Sequence, residues 1–325
     1  MGDRARVVVI GTGAMGPGIV QAFALGGHPA TLVGRSAAGL ARAEAHLDHY
    51  WSLFGAAGLA TAAALEAARA RLRLTVDPAA ACRTADVVVE AVVEDLAVKH
   101  AVFRAVGAVA PPDALLGSTT SALSATAIAA AVDRPERYVT LHFAQPAQLM
   151  PIVEVVPGAR TAPATVARAT ALLRGIGHEP VACRDAPGFI WNRLQAAVLR
   201  EAVALAREGV ASVADNERVV KRGYAARLPA MGPFEHADLV GLDLIRAVMA
   251  GVWPHLDASA SPDDGPIGAL VARGDLGIKS GRGFHDWTAR DPAALRRARD
   301  DELIRRLTLE RGRGPGAGGA PTAPA

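Results

Sequence analysis

Two ionisable residues interrupt apolar runs in the first half of the chain. His142 ends the run Tyr138–His142, and Glu154 lies inside the run Pro151–Val156, on the same side of the strand as apolar neighbours. A carboxylate in such a place is costly to bury unless it is paired. A histidine partner would satisfy it and would make a base suited to neutral pH. Taken singly, each residue also has a structural explanation, as a hydrogen-bonded strand-end histidine or a solvent-facing edge glutamate.

A glycine-rich turn lies near the N-terminus. The segment Gly11-Thr12-Gly13-Ala14-Met15-Gly16 follows the apolar run Val7–Ile10 and precedes an alanine-rich stretch. Such a turn lets backbone N–H groups approach a pyrophosphate, and the positive end of the following helix favours its charge. The pattern alone is a weak indication, since a turn without a ligand would look the same. A strand before it and a second predicted strand after it make it typical of a dinucleotide-binding unit.

The second predicted strand, Ala30–Val33, runs into Gly34-Arg35-Ser36. NAD-preferring sites usually carry Asp or Glu at this point, because a carboxylate binds the ribose hydroxyls. This chain instead places an arginine and a hydroxyl where a 2′-phosphate would lie. We therefore expect NAD or NADP as cofactor, with Arg35 favouring NADP. The alternative is that Arg35 simply lies over the adenine ring.

The elements that must position these residues alternate between short apolar runs and alanine-rich stretches. This alternation predicts an α/β fold with a Rossmann-type parallel sheet and helices on both faces. Helices are expected between the strands, for example at Ala14–Gly26 and Asp95–Ala110. The predicted strands are Arg6–Ile10, Ala30–Val33, Arg71–Val76, Asp86–Val93, Ala114–Gly117, Tyr138–His142, Pro151–Val156 and Glu179–Cys183.

Beyond Asp185 the sequence becomes helical in pattern, with predicted helices at Phe189–Glu208, Ser212–Arg222 and Phe234–Val252. We therefore expect a dinucleotide-binding domain over residues 1–185. An all-helical domain for substrate binding and dimerisation would follow over residues 186–310. Residues 311–325 are rich in Gly, Pro, Ala and Thr without periodicity, which predicts a disordered tail.

Composition argues against several other classes of protein. The 35 basic and 32 acidic residues are nearly balanced and scattered, so no nucleic-acid partner is expected. Cys82 and Cys183 are too few for a disulfide framework and predict free thiols in a reducing compartment, hence a cytoplasmic protein. No apolar stretch is long enough to span a membrane. His46 and His49 lack a third ligand, so no metal site is expected.

Several ordered motifs make the chain resemble the L-3-hydroxyacyl-CoA dehydrogenase family. The resemblance implies an NAD(P)-dependent dehydrogenase acting on a secondary hydroxyl β to a carboxyl or thioester group. It also implies a small-molecule substrate and a homodimer joined through the helical domain. The matching segments are Gly11–Gly16, Val88–Lys99, Ser118–Ser121, His142–Glu154, Pro187–Arg193, Met231–Glu235 and Gly277–Phe284.

The resemblance further implies roles for individual residues. His142 would be the general base toward the substrate hydroxyl, and Glu154 would orient and stabilise its imidazole. Ser121 would hydrogen-bond the reacting oxygen, and Asn192 would help to fix the substrate. Contacts with the cofactor are expected, from the turn and from the resemblance, for Gly11, Thr12, Gly13, Ala14, Met15, Gly16, Gly34, Arg35, Ser36, Glu94, Lys99, Ser121, Gln145 and Lys279.

Departures from the family pattern leave the substrate open. Gln145 replaces the usual Asn, and Gly34 replaces the usual Asp. CoA-specific members carry a lysine-rich helical segment, but this chain has no Lys or Arg between Ala43 and Ala68. Because a triply phosphorylated ligand needs positive partners, CoA recognition is in question. The stretch Tyr50–Leu59 looks more like gulonate and carnitine dehydrogenases.

The predicted reaction is hydride transfer at C3 of a 3-hydroxyacyl-CoA. A free 3-hydroxy acid or a carrier-bound thioester is the alternative substrate. A rival from another class is a catalytically silent dinucleotide-binding protein with a structural or regulatory role, which the joint presence of His142, Glu154, Ser121 and Asn192 disfavours. Glu94 and Lys99 could also be an ordinary exposed pair on a helix, and Lys279 an ordinary loop lysine.

Overall fold

The computed structural model describes residues 4–312. These residues divide into two compact units, the first formed by residues 4–192 together with 298–312 and the second by residues 193–297. The sequence placed residues 186–310 in one helical domain, whereas the contacts assign the terminal helix from Ala298 onward to the first unit. Of the expected tail, residues 313–325 lie outside the described residues, and residues 311 and 312 still belong to the last helix.

All eight predicted strands are present, and they form one sheet. The largest difference is at Asp86–Val93, where the strand ends at Glu90 and the remaining residues form a loop. The strands are β1 (Val7–Ile10), β2 (Ala30–Val33), β3 (Leu72–Thr75), β4 (Val87–Glu90), β5 (Leu115–Ser118), β6 (Tyr138–Phe143), β7 (Ile152–Pro157) and β8 (Glu179–Ala182).

The strand order is β3-β2-β1-β4-β5-β6-β7-β8, with β1 to β6 parallel. The predicted parallel sheet is present, with one exception: β7 runs antiparallel to β6. Residues 144–151, which join these strands, are too few for the crossover of about a dozen residues that parallel strands require. β8 is parallel to β7.

Helices cover both faces of the sheet and form most of the second unit. Residues 193–297, all described, contain no strand and only isolated bridges at Arg282. The helices are α1 (Gly16–Leu25), α2 (Ala37–Ala56), α3 (Ala62–Arg71), α4 (Pro78–Cys82), α5 (Leu96–Gly107), α6 (Ala125–Ala129), α7 (Pro163–Gly175), α8 (Trp191–Arg207), α9 (Val213–Arg222), α10 (Pro233–Val240), α11 (Leu242–Val252), α12 (Pro266–Ala272) and α13 (Pro292–Gly312).

The helix starts follow local chemistry. Asp95 caps α5 by accepting a hydrogen bond from Val98 N, and Ser212 caps α9 by accepting one from Asp215 N. The predicted single helix Phe234–Val252 is instead two helices, α10 and α11. Gly241 separates them with a φ of 100°, a conformation that an α-helix does not contain.

Alternate residues of the central strands face two separate apolar cores. Val7 and Val9 of β1 pack on one face of the sheet, and Val8 and Ile10 pack on the other. Such strands are covered on both sides, which explains their nearly continuous apolar sequences. The glycine turn therefore follows a rigid, buried strand.

Helix α13 packs on α2 within the first unit. The Tyr50 hydroxyl donates to Asp300 Oδ2 at 3.0 Å, and both residues are buried. Arg299 forms an ion pair with Asp300 at 2.7 Å. The apolar residues of this contact are Tyr50, Phe54, Leu59, Leu149, Leu303, Ile304 and Leu307.

Within residues 4–312, no helix is both long and apolar enough to cross a membrane.

Candidate active site

The reversal at β7 places His142 and Glu154 side by side. They are direct partners in the antiparallel register, and His142 Nδ1 lies 2.6 Å from Glu154 Oε2. Both side chains are buried, with 5% and 3% of their areas exposed. The predicted encounter of imidazole and carboxylate is therefore present in the fold.

The remaining contacts of Glu154 fix the hydrogen-bonding roles of the imidazole. Glu154 Oε1 accepts from the backbone N–H groups of Ile190 and Trp191, at 2.8 and 2.9 Å, at the start of α8. As a carboxylate, Glu154 can only accept hydrogen bonds. His142 Nδ1 must then carry the hydrogen, which leaves Nε2 as the free acceptor of the neutral ring.

Ser121 lies on the Nε2 side of the imidazole. Its Oγ is 3.3 Å from His142 Nε2, so the hydroxyl can donate to the ring nitrogen. Asn192 Nδ2 donates to the Ser121 carbonyl oxygen at 2.7 Å. The structure therefore brings together His142, Glu154, Ser121 and Asn192, and Asn192 contacts the backbone of Ser121.

Glu94 holds the backbone on the other side of Ser121. Its Oε1 accepts from Thr120 Oγ1 at 2.5 Å, from Ser121 N at 2.8 Å and from Ala122 N at 2.9 Å. Burial alone would raise the pKa of Glu94, but donation from Thr120, Ala122 and Ser121 outweighs it and lowers the pKa below its usual value. Glu94 is thus an ionised acceptor that shapes the loop after β5.

Lys99 is not the exposed helix residue that one sequence interpretation allowed. Its side chain is 1% exposed, and its Nζ lies 2.8 Å from Glu90 Oε1 and 3.4 Å from Glu94 Oε2. A group so enclosed lies behind Glu94 and offers almost no surface to a ligand. Glu90 was missed, although it breaks an apolar strand just as Glu154 does.

Phe189 is a second residue that the sequence analysis did not assign to the site. Its ring centroid lies 5.6 Å from that of His142, and the side chain is buried. Its φ of 49° is unusual for a bulky residue, and strain of this kind is often found at functional sites. The residue lies within the quoted motif Pro187–Arg193, which was the only signal available from the sequence.

The glycine turn borders a cavity of about 900 Å³ in the first unit. A Cβ on Gly11 would lie 2.3 Å from Ala91 O, and one on Gly16 would lie 1.8 Å from Gly11 O. By contrast, a Cβ on Gly13 would meet nothing within 4 Å. Gly11 and Gly16 are therefore closely packed, whereas the backbone at Gly13 is open toward a ligand at the start of α1. A dinucleotide pyrophosphate requires this arrangement, so the residues present fit this cofactor.

Gly34, Arg35 and Arg42 line the same cavity. A Cβ on Gly34 would lie 2.9 Å from the Leu40 side chain, so this position has little room for a carboxylate side chain. Among residues 4–312, neither arginine has a carboxylate partner within ion-pair distance. Arg42 was not singled out from the sequence. Ser36 caps α2, and its Oγ accepts from Gly39 N at 3.2 Å.

Two further predicted residues lie elsewhere. Gln145 is exposed in the connection between β6 and β7, beside a cis peptide bond to Pro146. Lys279 is exposed in the second unit, between Gly277 and Arg282. Their contacts with the cofactor stay predictions.

His46 and His49 lie on α2, where both rings pack against Tyr50. Within residues 4–312, no group of three or more His, Cys, Asp or Glu side chains is placed to hold a metal ion.

The fold and the site together define a class of protein. Strands β3-β2-β1-β4-β5-β6 have the order of a dinucleotide-binding sheet, and the glycine turn lies at the carboxyl end of β1, where the order reverses. A buried His–Glu pair and a serine in the same unit can move a proton. These are the parts of a nicotinamide-dependent dehydrogenase.

Comparison with known proteins agrees with this class. The family model for the 3-hydroxyacyl-CoA dehydrogenase NAD binding domain matches residues 6–186, and that for the C-terminal domain of the same enzymes matches residues 188–287. The chain therefore belongs to the 3-hydroxyacyl-CoA dehydrogenase family, whose members are NAD-binding oxidoreductases.

Three similar proteins illustrate the range of the family. The 5-formyl-3-hydroxy-2-methylpyridine 4-carboxylate 5-dehydrogenase of Mesorhizobium japonicum is 33% identical over 92% of this chain and 96% of its own length. The human mitochondrial hydroxyacyl-coenzyme A dehydrogenase is 36% identical over 87% of this chain and 91% of its own length. The third is a crystal structure of a 5-dehydrogenase of the same pyridine carboxylic acid, described as an NAD⁺-dependent dismutase. Its superposition covers 95% of this chain and 99% of the other chain, with a TM-score of 0.87 and 31% sequence identity.

Proposed function

We propose that this protein transfers a hydride between a nicotinamide cofactor and C3 of a 3-hydroxyacyl substrate, with a 3-hydroxyacyl-CoA as the first candidate. The observation that carries the proposal is the buried pair His142–Glu154, with Nδ1 and Oε2 2.6 Å apart and Nε2 facing Ser121. When bound, the nicotinamide accepts or returns the hydride. The C–H and O–H bonds of the alcohol break, and a C=O bond forms.

The residues of the chain handle the proton of this reaction. His142 Nε2 accepts the hydroxyl proton as the C–H bond breaks, and Glu154 stabilises the imidazolium that results. Ser121 donates a hydrogen bond to the reacting oxygen, and the steps reverse on reduction. A catalytically silent dinucleotide-binding protein would not need the buried pair His142–Glu154 together with a serine facing Nε2.

A free carboxylic acid is the second candidate substrate, and two observations favour it. Residues 43–68 contain no Lys or Arg, and the face of α2 around Tyr50 and Phe54 is covered by α13. The phosphates of CoA would find no positive partner on this segment. In addition, the relative from Mesorhizobium japonicum, which acts on a pyridine carboxylate, aligns with 92% of this chain.

The two candidates differ in a direct assay. Purified protein is given NADH or NADPH with acetoacetyl-CoA, and NAD or NADP with a panel of free 3-hydroxy acids and a pyridine carboxylate aldehyde. We expect oxidation or reduction of at least one of these with loss of turnover in His142→Gln. Turnover of the free acids alone would replace the thioester by the second candidate, and a full panel without turnover would remove the dehydrogenase proposal.

The cofactor proposal is that NADP is accepted beside NAD and is favoured by Arg35 and Arg42. Both residues line the cavity that borders the glycine turn, and Gly34 occupies the position where NAD-preferring sites usually have a carboxylate. A charge-assisted contact between arginine and a 2′-phosphate contributes about 1.5–3 kcal/mol, or roughly a tenfold to hundredfold preference.

We also propose a homodimer formed through the second unit. Its helices leave large apolar side chains exposed, which is the usual mark of a surface that another chain covers. Sedimentation at several protein concentrations tests this, and a monomer at all of them would contradict it. The exposed apolar residues include Phe234, Leu239, Leu242, Leu244, Val248 and Trp253.

A cytoplasmic location is proposed because Cys82 and Cys183 are free thiols.

A further inference from the structure

A buried ion pair lies where β4 ends. Glu90 Oε1 and Lys99 Nζ are 2.8 Å apart, with 0% and 1% of the two side chains exposed. Removing two charges from water is costly, and well-packed apolar residues of similar volume are often at least as stabilising as a buried ion pair. The contribution of this pair is therefore better sought in the geometry that it imposes than in stability.

The contacts of Glu90 tie three elements together. Oε1 accepts from Val92 N at 2.6 Å in the loop after β4, as well as from Lys99 of α5. Oε2 accepts from Ser118 Oγ at 2.6 Å, at the end of β5, and lies 3.0 Å from Lys99 Nζ. Glu90 thus fixes the bases of the two loops that follow β4 and β5.

Lys99 extends this network to the catalytic serine. Its ammonium group lies between Glu90 and Glu94 Oε2, the latter at 3.4 Å. Glu94 Oε1 in turn holds the backbone N–H of Ser121, whose Oγ lies 3.3 Å from His142 Nε2. One buried cation therefore fixes two carboxylates, and the outer carboxylate sets the position of Ser121.

We infer that Glu90 and Lys99 are positioning residues that act on the reaction through Glu94 and Ser121. The inference rests on the proposed function, because it assigns the pair a role in placing Ser121 beside His142. It gives Lys99 a place behind Glu94, and the contact of Lys99 with the cofactor stays a prediction.

The test uses the full chain and the double variant Glu90→Gln with Lys99→Met, which removes both charges and so avoids leaving one of them buried alone. We expect kcat to fall at least about tenfold, as for a misplaced catalytic group. In the Ser121→Ala background the same pair of changes should add less than about threefold, because the serine that it positions is absent. A purely structural role would lower kcat by the same factor in both backgrounds, and that result would overturn the inference. A kcat of the double variant within about twofold of the parent would overturn it as well.

A second variant keeps the inference testable if the double variant folds poorly. Glu94→Gln breaks the link to Lys99 but leaves the buried pair intact, so it should lower kcat in the parent and add less than about threefold in the Ser121→Ala background. The same factor in both backgrounds would contradict an action through Ser121. The matched control is Arg137→Met with Asp133→Asn, which removes another ion pair of the first unit, with its atoms 2.7 Å apart. This control should lower the unfolding temperature and leave kcat within about twofold.

The outcomes separate this inference from the proposed function. If His142→Gln keeps its turnover, the proposed function fails. If His142→Gln and Ser121→Ala both lose turnover while the Glu90 and Lys99 variant does not, only the positioning role fails.

Discussion

His142 and Glu154 face each other across the antiparallel pair β6 and β7, with Nδ1 and Oε2 2.6 Å apart. Residues from the start of α8 complete the carboxylate's hydrogen bonds, so its charge is held toward one side of the imidazole. The opposite ring nitrogen, Nε2, faces Ser121 and is not engaged by Glu154.

Replacing His142 by Gln should lower kcat by roughly 10²- to 10⁴-fold, because the proton acceptor is lost. His142 does not line the cavity that borders the glycine turn. The dissociation constant for NADH, measured by fluorescence titration, should therefore stay within about threefold of the parent value. A variant with unchanged kcat would remove His142 as the base. Loss of both turnover and cofactor binding would indicate misfolding, which circular dichroism would reveal.

Two glycines of the turn should separate cofactor binding from folding. Gly13→Ala places a methyl group where nothing lies within 4 Å, so the unfolding temperature should be unchanged, whereas the dissociation constant for the dinucleotide should rise. Gly16→Ala places its Cβ 1.8 Å from Gly11 O, so the free energy of unfolding should fall by about 3 kcal/mol. Thermal unfolding and cofactor titration of both variants check this. Equal stability of the two variants would contradict the close contact between Gly16 and Gly11.

The arginines of the cavity should decide between cofactors. Arg35→Ala should lower kcat/KM for NADP relative to NAD by roughly tenfold to hundredfold, and Arg42→Ala should act in the same direction. Arg174→Ala, an exposed arginine at the end of α7, is the control for a change in net charge alone. A strong preference of the parent protein for NAD, or equal effects of the control, would refute the assignment.

The contact between α2 and α13 should weaken at high pH. Burial, the charge of Asp300 and the hydrogen bond to Asp300 together raise the pKa of Tyr50 to about 12, against the opposing effect of Arg299. Because the tyrosine ionises at a lower pH in the unfolded chain, its contribution is complete below pH 10 and is lost as pH rises from about 10 to 12. Unfolding temperatures at pH 9 and 11 should therefore differ more in the parent than in Tyr50→Phe.

At neutral pH the same substitution should cost about 1–2 kcal/mol, since Asp300 keeps its ion pair with Arg299. Urea unfolding measures this difference. A variant as stable as the parent at pH 7 would show that the hydroxyl does not hold the terminal helix. The same decrease in unfolding temperature between pH 9 and 11 in both proteins would show this too.

Local features of the sequence determined much of this protein. Short apolar runs marked most of the strands, and the glycine turn marked the cofactor end of β1. Hydroxyl or carboxylate side chains cap several helices, among them Ser36, Asp95 and Ser212. Hydrophobic periodicity, turn residues and helix caps each depend on only a few neighbouring residues, so they can be recognised in the sequence before the fold is known. His142 and Glu154 stood out for the same reason, as polar residues in apolar strands.

Only the tertiary structure decided how distant residues pair. The short connection after β6 reverses β7 and so sets Glu154 opposite His142. Glu90, Lys99 and Ser118 come from three elements, and Tyr50 meets Asp300 across 250 positions of sequence. Such contacts depend on the packing of whole elements, because the free energy that fixes each of them comes from burial shared by many residues. No local pattern carries that information.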